Sequence, residues 1–87
     1  MNTFKVTVIT KAETVLATEN ATSVALPGAS GGFVVLAHHT PLVALLKAGE
    51  VVVTEANGEN HHYTITRGTL ETSRNTANVL VDLAPAN

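Results

Sequence analysis

The stretch EVVVTEANGENHHYTIT, residues 50–66, places β-branched residues on both sides of Asn57–Gly58. Val51, Val52, Val53, Thr54, Thr64 and Ile65 are stiff at χ1 and pack well on a pleated surface. Asn-Gly is the dipeptide best suited to a type I′ turn, which needs positive φ at both central residues. The stretch therefore reads as a β-hairpin, with EVVVTEA (50–56) and HHYTIT (61–66) as its arms.

Working outward, the same grammar continues. Phe4, Val6 and Val8 alternate with Lys5 and Thr7, the period of a half-buried strand. A second extended stretch runs from about Thr14 to Leu26. LPG at 26–28 predicts a turn, and GASGG at 28–32 a flexible loop tip. FVVL at 33–36 predicts a short buried strand, and HHTP a break. LVALL at 42–46 fits a strand or one helical turn, and KAGE a connector. RG at 67–68 predicts another break. TLETS and ANVLVDL follow, separated by a turn near Arg74–Thr76. The expected fold is all-β: one domain over 1–87, a small β-sandwich or flattened barrel of about eight to ten short, mostly antiparallel strands. No internal repeat, linker or low-complexity segment is visible.

Composition narrows the function. The chain has 87 residues, 45% hydrophobic and 14% charged, which marks a folded domain, not a disordered one. A formal net charge of −2 argues against nucleic acid, which selects a basic patch. The absence of cysteine excludes disulfides and thiolate metal sites. MNTFKVTVIT alternates where a signal peptide would carry an apolar run. FVVLA and LVALL are far too short to span a bilayer as helices. NAT at Asn20 is a formal glycosylation sequon without meaning unless the chain is secreted.

No constellation of catalytic residues emerges. His38–His39 and His61–His62 are adjacent pairs, and neighbours on a strand point to opposite faces. Neither pair can chelate one ion alone; a site would need one histidine from each pair and a carboxylate. GASGG lacks the Gly-Lys-Ser/Thr ending and the following helix of a phosphate loop. Asp82 interrupts VLVDLA, as a buried acid or as the outward residue of an alternating strand. Serines lack a readable base and orienting acid. The expectation is no enzyme, no metal and no cofactor.

Five segments together carry a resemblance: VALPG (24–28), FVVLAHHTPL (33–42), LKAG (46–49), RGTLET (67–72) and VLVDLA (79–84). In order and spacing they resemble the N-terminal β-sandwich domain of the epsilon subunit of bacterial F-type ATP synthase, called delta in mitochondria. The positions that match are Pro27, Gly28, His39, Pro41, Leu42, Lys47, Gly49, Gly68, Leu70, Glu71 and Asp82. Ala37, Thr40, Arg67, Thr69, Thr72 and Gly32 depart from the family pattern.

The resemblance implies a non-catalytic rotor subunit. It would bind the gamma subunit and the c-subunit ring, couple ion-driven rotation to ATP synthesis, and lie peripherally on the cytoplasmic face of the plasma membrane without inserting. It implies a ring-facing group of Ala29, Ser30, Gly31, Gly32, His38 and His39, and a gamma-facing group of Leu42, Ala44 and Leu45. The family usually continues into a C-terminal hairpin of two helices, whereas this sequence stops at DLAPAN. The expectation is a form without the inhibitory hairpin that binds no ATP, whether naturally short or shortened. Two other classes remain from the residues alone: a free-standing β-sandwich that binds a protein or ligand, and a cupin-like metal enzyme using the histidines.

Overall fold

The computed structural model describes residues 2–85, which form seven strands and no helix. They are β1 (Phe4–Ile9), β2 (Thr14–Gly28), β3 (Gly31–Leu36), β4 (Leu42–Leu46), β5 (Gly49–Glu55), β6 (Asn60–Ser73) and β7 (Thr76–Leu83). The all-β expectation holds. The count is seven because β2 and β6, at 15 and 14 residues, each serve two neighbours in succession along one edge. β2 pairs with β1 and then β3 on one edge, and with β5 on the other. β6 pairs with β5 and then β4 on one edge, and with β7 on the other.

The ring β1–β2–β5–β6–β7 closes because β1 also pairs with β7, in parallel. Closure leaves β3 outside the ring, paired with β2 alone, while β4 pairs with β6 along its length and with β2 only at its end, Leu46 with Gly28. Period-2 alternation fills the interior. Val6, Val8, Val24, Val51, Val53, Ile65, Leu70 and Val79 are fully enclosed between the two layers. Thr72 is the buried polar exception, and its hydroxyl donates to the Thr40 carbonyl at 2.9 Å.

Four local expectations are corrected. Leu26–Gly28 does not turn but continues β2; the turn is Ala29–Ser30. Pro27 is tolerated because the structure needs only its carbonyl, which accepts the Lys47 N–H at 2.9 Å. Arg67–Gly68 does not break β6, which only shifts register between Ile65 and Arg67. Gly68 is there because a Cβ would lie 2.5 Å from the Leu80 carbonyl oxygen. FVVL is not buried throughout: Val35 is enclosed, but Val34 and Leu36 face outward.

The hairpin around Asn57–Gly58 exists, with β5 against β6, but its turn is not type I′. Only Gly58 takes positive φ, and its N–H closes on the Glu55 carbonyl at 2.9 Å. The Glu55 N–H also donates to the Glu59 carbonyl at 2.8 Å, which makes a three-residue loop, a turn at Ala56–Asn57 followed by Gly58. The two-residue turn with positive φ at both positions is Arg74–Asn75, at φ 51° and 58°.

Candidate interaction surface

Four of the six large hydrophobic residues exposed among the described residues lie on β3 and β4. Val34 and Leu36 are 54% and 58% exposed; Val43 and Leu45 are each 69% exposed. Neither strand carries a charged residue. At one end the Ala29 N–H donates to the Leu45 carbonyl at 2.9 Å, so the hairpin tip rests on β4. Between them lies a cleft of about 310 Å³ lined by Gly28, Ala29, Gly31, Phe33, Ala44 and Leu45.

A second, larger groove of about 540 Å³ lies on the outer face beyond Leu45. Its apolar floor follows one row across the sheet, since Leu45 pairs with Thr69, Thr69 with Leu80, and Leu80 with Ile9. Lys11, Arg67 and Asp82 line it with charge. Arg67 Nε donates to Asp82 Oδ2 at 2.9 Å. That bond, helped by the charge of Lys11, holds the Asp82 carboxyl below the usual aspartate range. Asp82 is thus a half-buried partner of arginine on the outer face.

The corner between the two edge strands is built around His38. This residue takes positive φ at 61°, and its N–H donates to Asn75 Oδ1 at 2.7 Å. Asn75 Nδ2 in turn donates to the Thr3 carbonyl at 3.0 Å. His39 Nδ1 donates to the Thr40 carbonyl at 2.8 Å, the same oxygen that Thr72 holds. His38 is exposed and His39 half-buried.

The expected partner-facing residues separate under this geometry. Leu42 and Ala44 turn inward and pack on the core, whereas Leu45 faces out. Val43, which the sequence reading did not select, shares the outward face of β4; the strict alternation of LVALL was the available signal. Ala29–Gly32 and His38–His39 sit at opposite ends of β3, roughly 20 Å apart at ~3.3 Å per residue. Of the family-matching positions, Gly28 leaves room for the Phe33 ring, Gly49 approaches Pro27, Pro41 leads into β4, and Glu71 is exposed on β6.

The second histidine pair does not meet the first. His61 Nε2 donates to Glu55 Oε2 at 2.6 Å and lies 3.8 Å from Glu59. Glu55 also accepts the Thr18 hydroxyl. These bonds, Thr18 first and His61 second, hold the Glu55 carboxyl below the usual glutamate range. Glu55, Glu59 and His61 offer ligand atoms within 4.8 Å of one another, a grouping of one histidine with two carboxylates where the sequence suggested that a site would need a histidine from each pair. His62 points to the other face, with Nδ1 3.3 Å from Glu50.

Residues 3–86 match the family described as the ATP synthase delta/epsilon chain, beta-sandwich domain. This chain belongs to that family. It is 38% identical over 84 residues to an ATP synthase epsilon chain of Delftia acidovorans, covering 97% of this chain and 60% of the relative. It is 39% identical over 64 residues to that of Protochlamydia amoebophila, covering 74% and 44%. The chain thus spans about half the length of these curated family relatives. Its fold is similar to a chain in the Euglena gracilis mitochondrial ATP synthase OSCP/F1/c-ring structure, with TM-score 0.86, 21% identity, and 93% and 51% of the two chains covered. It is also similar to a chain of the Tetrahymena thermophila ATP synthase central stalk and c-ring, with TM-score 0.75, 16% identity, and 90% and 62% covered.

Proposed function

We propose that this family member acts as a non-catalytic central-stalk domain of an ATP synthase, clamped between the gamma subunit and the c-subunit ring. In this role it transmits rotation and sits at the membrane through the complex, on the cytoplasmic face. The observation that carries the reading is the set of exposed apolar side chains on β3 and β4. Uncharged edge strands with exposed Val34, Leu36, Val43 and Leu45 are costly for a free monomer and ordinary for a surface covered in an assembly. The similar chains in assemblies titled OSCP/F1/c-ring and central stalk/c-ring favour the same role.

Because the hairpin tip and the histidine corner lie at opposite ends of β3, one compact contact does not reach both. The exposed tip Ala29–Gly32 suits the ring. The outward face of β4, from Val43 towards the His38–His39 corner to Leu45 beside the tip, suits gamma. A permanent interface of this kind should bury well over roughly 1,000 Å² in total.

Co-expression with the gamma subunit of the same organism, followed by size-exclusion chromatography, tests the proposal. The expected result is a stable one-to-one complex. Separate elution at micromolar concentration would overturn it. The groove beside Leu80 supports a second reading, a free-standing ligand-binding module. Separate elution together with saturable binding of a small apolar ligand there would favour that one.

A further inference from the structure

The backbone of β3 has a defined phase. The two-residue turn at Ala29–Ser30 closes on the Gly28–Gly31 pair, and such a closing pair is hydrogen-bonded. Alternation then makes Leu26–Phe33 and Val24–Val35 the bonded pairs. Gly31, Phe33 and Val35 therefore direct their N–H and C=O groups to β2. An independent contact fixes the same phase: Pro27, at an alternate position of β2, points its carbonyl away from β3, to Lys47. Gly32, Val34 and Leu36 consequently direct their N–H and C=O groups to the open edge. All three are exposed, whereas Phe33 is half-buried and Val35 enclosed.

The edge is undefended. Natural edge strands are blunted by charge, proline or a bulge. GGFVVL has no charge and no proline, and its register with β2 is unbroken. The edge of β4 is different, because the Leu45 carbonyl there is already taken by Ala29.

We propose that the β3 edge is a strand-addition site: an extended segment of a partner protein lies along Gly32–Leu36 and continues the sheet. Its chemistry follows from the edge. About five residues free of proline would satisfy the backbone groups, with apolar side chains on the face shared with Val34 and Leu36. A second copy of this chain is a poorer occupant. Two six-residue edges paired about a two-fold axis bury far less than the roughly 1,200 Å² of a stable complex, whereas a larger partner can also cover Val43 and Leu45. The inference rests on the reading above and takes the segment to belong to gamma.

The test uses this chain with gamma. Amide exchange by NMR should show Gly32, Val34 and Leu36 gaining protection in the complex, while Phe33 and Val35 are protected in the free chain already. Val34→Pro deletes one outward N–H and no bond to β2, so the fold should persist and affinity for gamma should fall about tenfold. Val34→Thr keeps the N–H and should bind within about threefold of the parent. A complex that forms without protection at the three amides overturns the inference alone, whether or not Val34→Pro folds. Protection of those amides in the free chain, with concentration-dependent dimerisation, overturns it in favour of a second copy. No complex with the parent chain at all overturns the functional reading and this inference with it.

Discussion

The side-chain carbonyl of Asn75 accepts the backbone N–H of His38 at 2.7 Å, joining the β6–β7 turn to the corner between the edge strands. The same side chain holds Thr3, and the Asn75 carbonyl accepts the Lys5 N–H at 3.2 Å. One residue thus fixes three segments distant in sequence. Asn75→Ala loses both side-chain bonds and places a Cβ-bearing residue without local hydrogen bonding at positive φ. The expected cost is about 2–3 kcal/mol in urea unfolding. Asn75→Gly keeps the turn conformation and should cost about 1–2 kcal/mol, isolating the bonds from the backbone strain.

Gly68 sits where two strands approach too closely for a side chain. An added Cβ would meet the Leu80 carbonyl at 2.5 Å and Val81 Cγ1 at 2.9 Å. Gly68→Ala should destabilise by about 1–3 kcal/mol, with β6 and β7 forced apart. A thermal midpoint equal to that of the parent would contradict this account of the glycine.

Outward residues should behave oppositely. Val43→Asp and Leu45→Asp replace side chains 69% exposed, so stability should change by no more than about 0.5 kcal/mol. Co-elution with gamma should nevertheless be lost. If both variants still bind, the β4 face is not where gamma docks.

Acid stability should depend on Glu55. Its carboxyl is held below the ordinary value of 4.5, mainly by the Thr18 hydroxyl and then by His61. A carboxylate lowered on folding adds stability that is complete above its unfolded pKa and is lost as pH falls through its native one. The urea midpoint should therefore decline below about pH 4.5, and Glu55→Gln should flatten part of that decline. An unchanged acid limb in Glu55→Gln would show that other carboxylates, Asp82 first among them, carry it.

Much of the architecture was legible because it depends on local alternation. Phe4–Ile9, Gly49–Glu55 and Thr76–Leu83 bury alternate residues as a period of two requires. Among the misread positions are glycines and a proline whose reasons are tertiary. Pro27 and Gly28 look like a turn, yet one offers only a carbonyl to Lys47 and the other makes room for Phe33. Gly68 looks like a break, yet it answers the approach of β7. Arg74–Asn75 gave little sign of a positive-φ turn, because its geometry is held by bonds to Thr3 and His38, far away in the chain. The surface was half legible: LVALL marked β4, but which face it shows depends on the pairing of Leu46 with Gly68.

The parallel pairing of β1 with β7 has a consequence for biosynthesis. The first strand finds one of its two neighbours only in residues 76–80. During translation, β1 and β2 can pair early, but the barrel stays unsealed until that last strand has left the ribosome. Contacts of such long sequence separation form late and slowly. Until they do, the valines of β1 lie open to chaperones, so the nascent chain carries an aggregation risk that sealing the barrel removes.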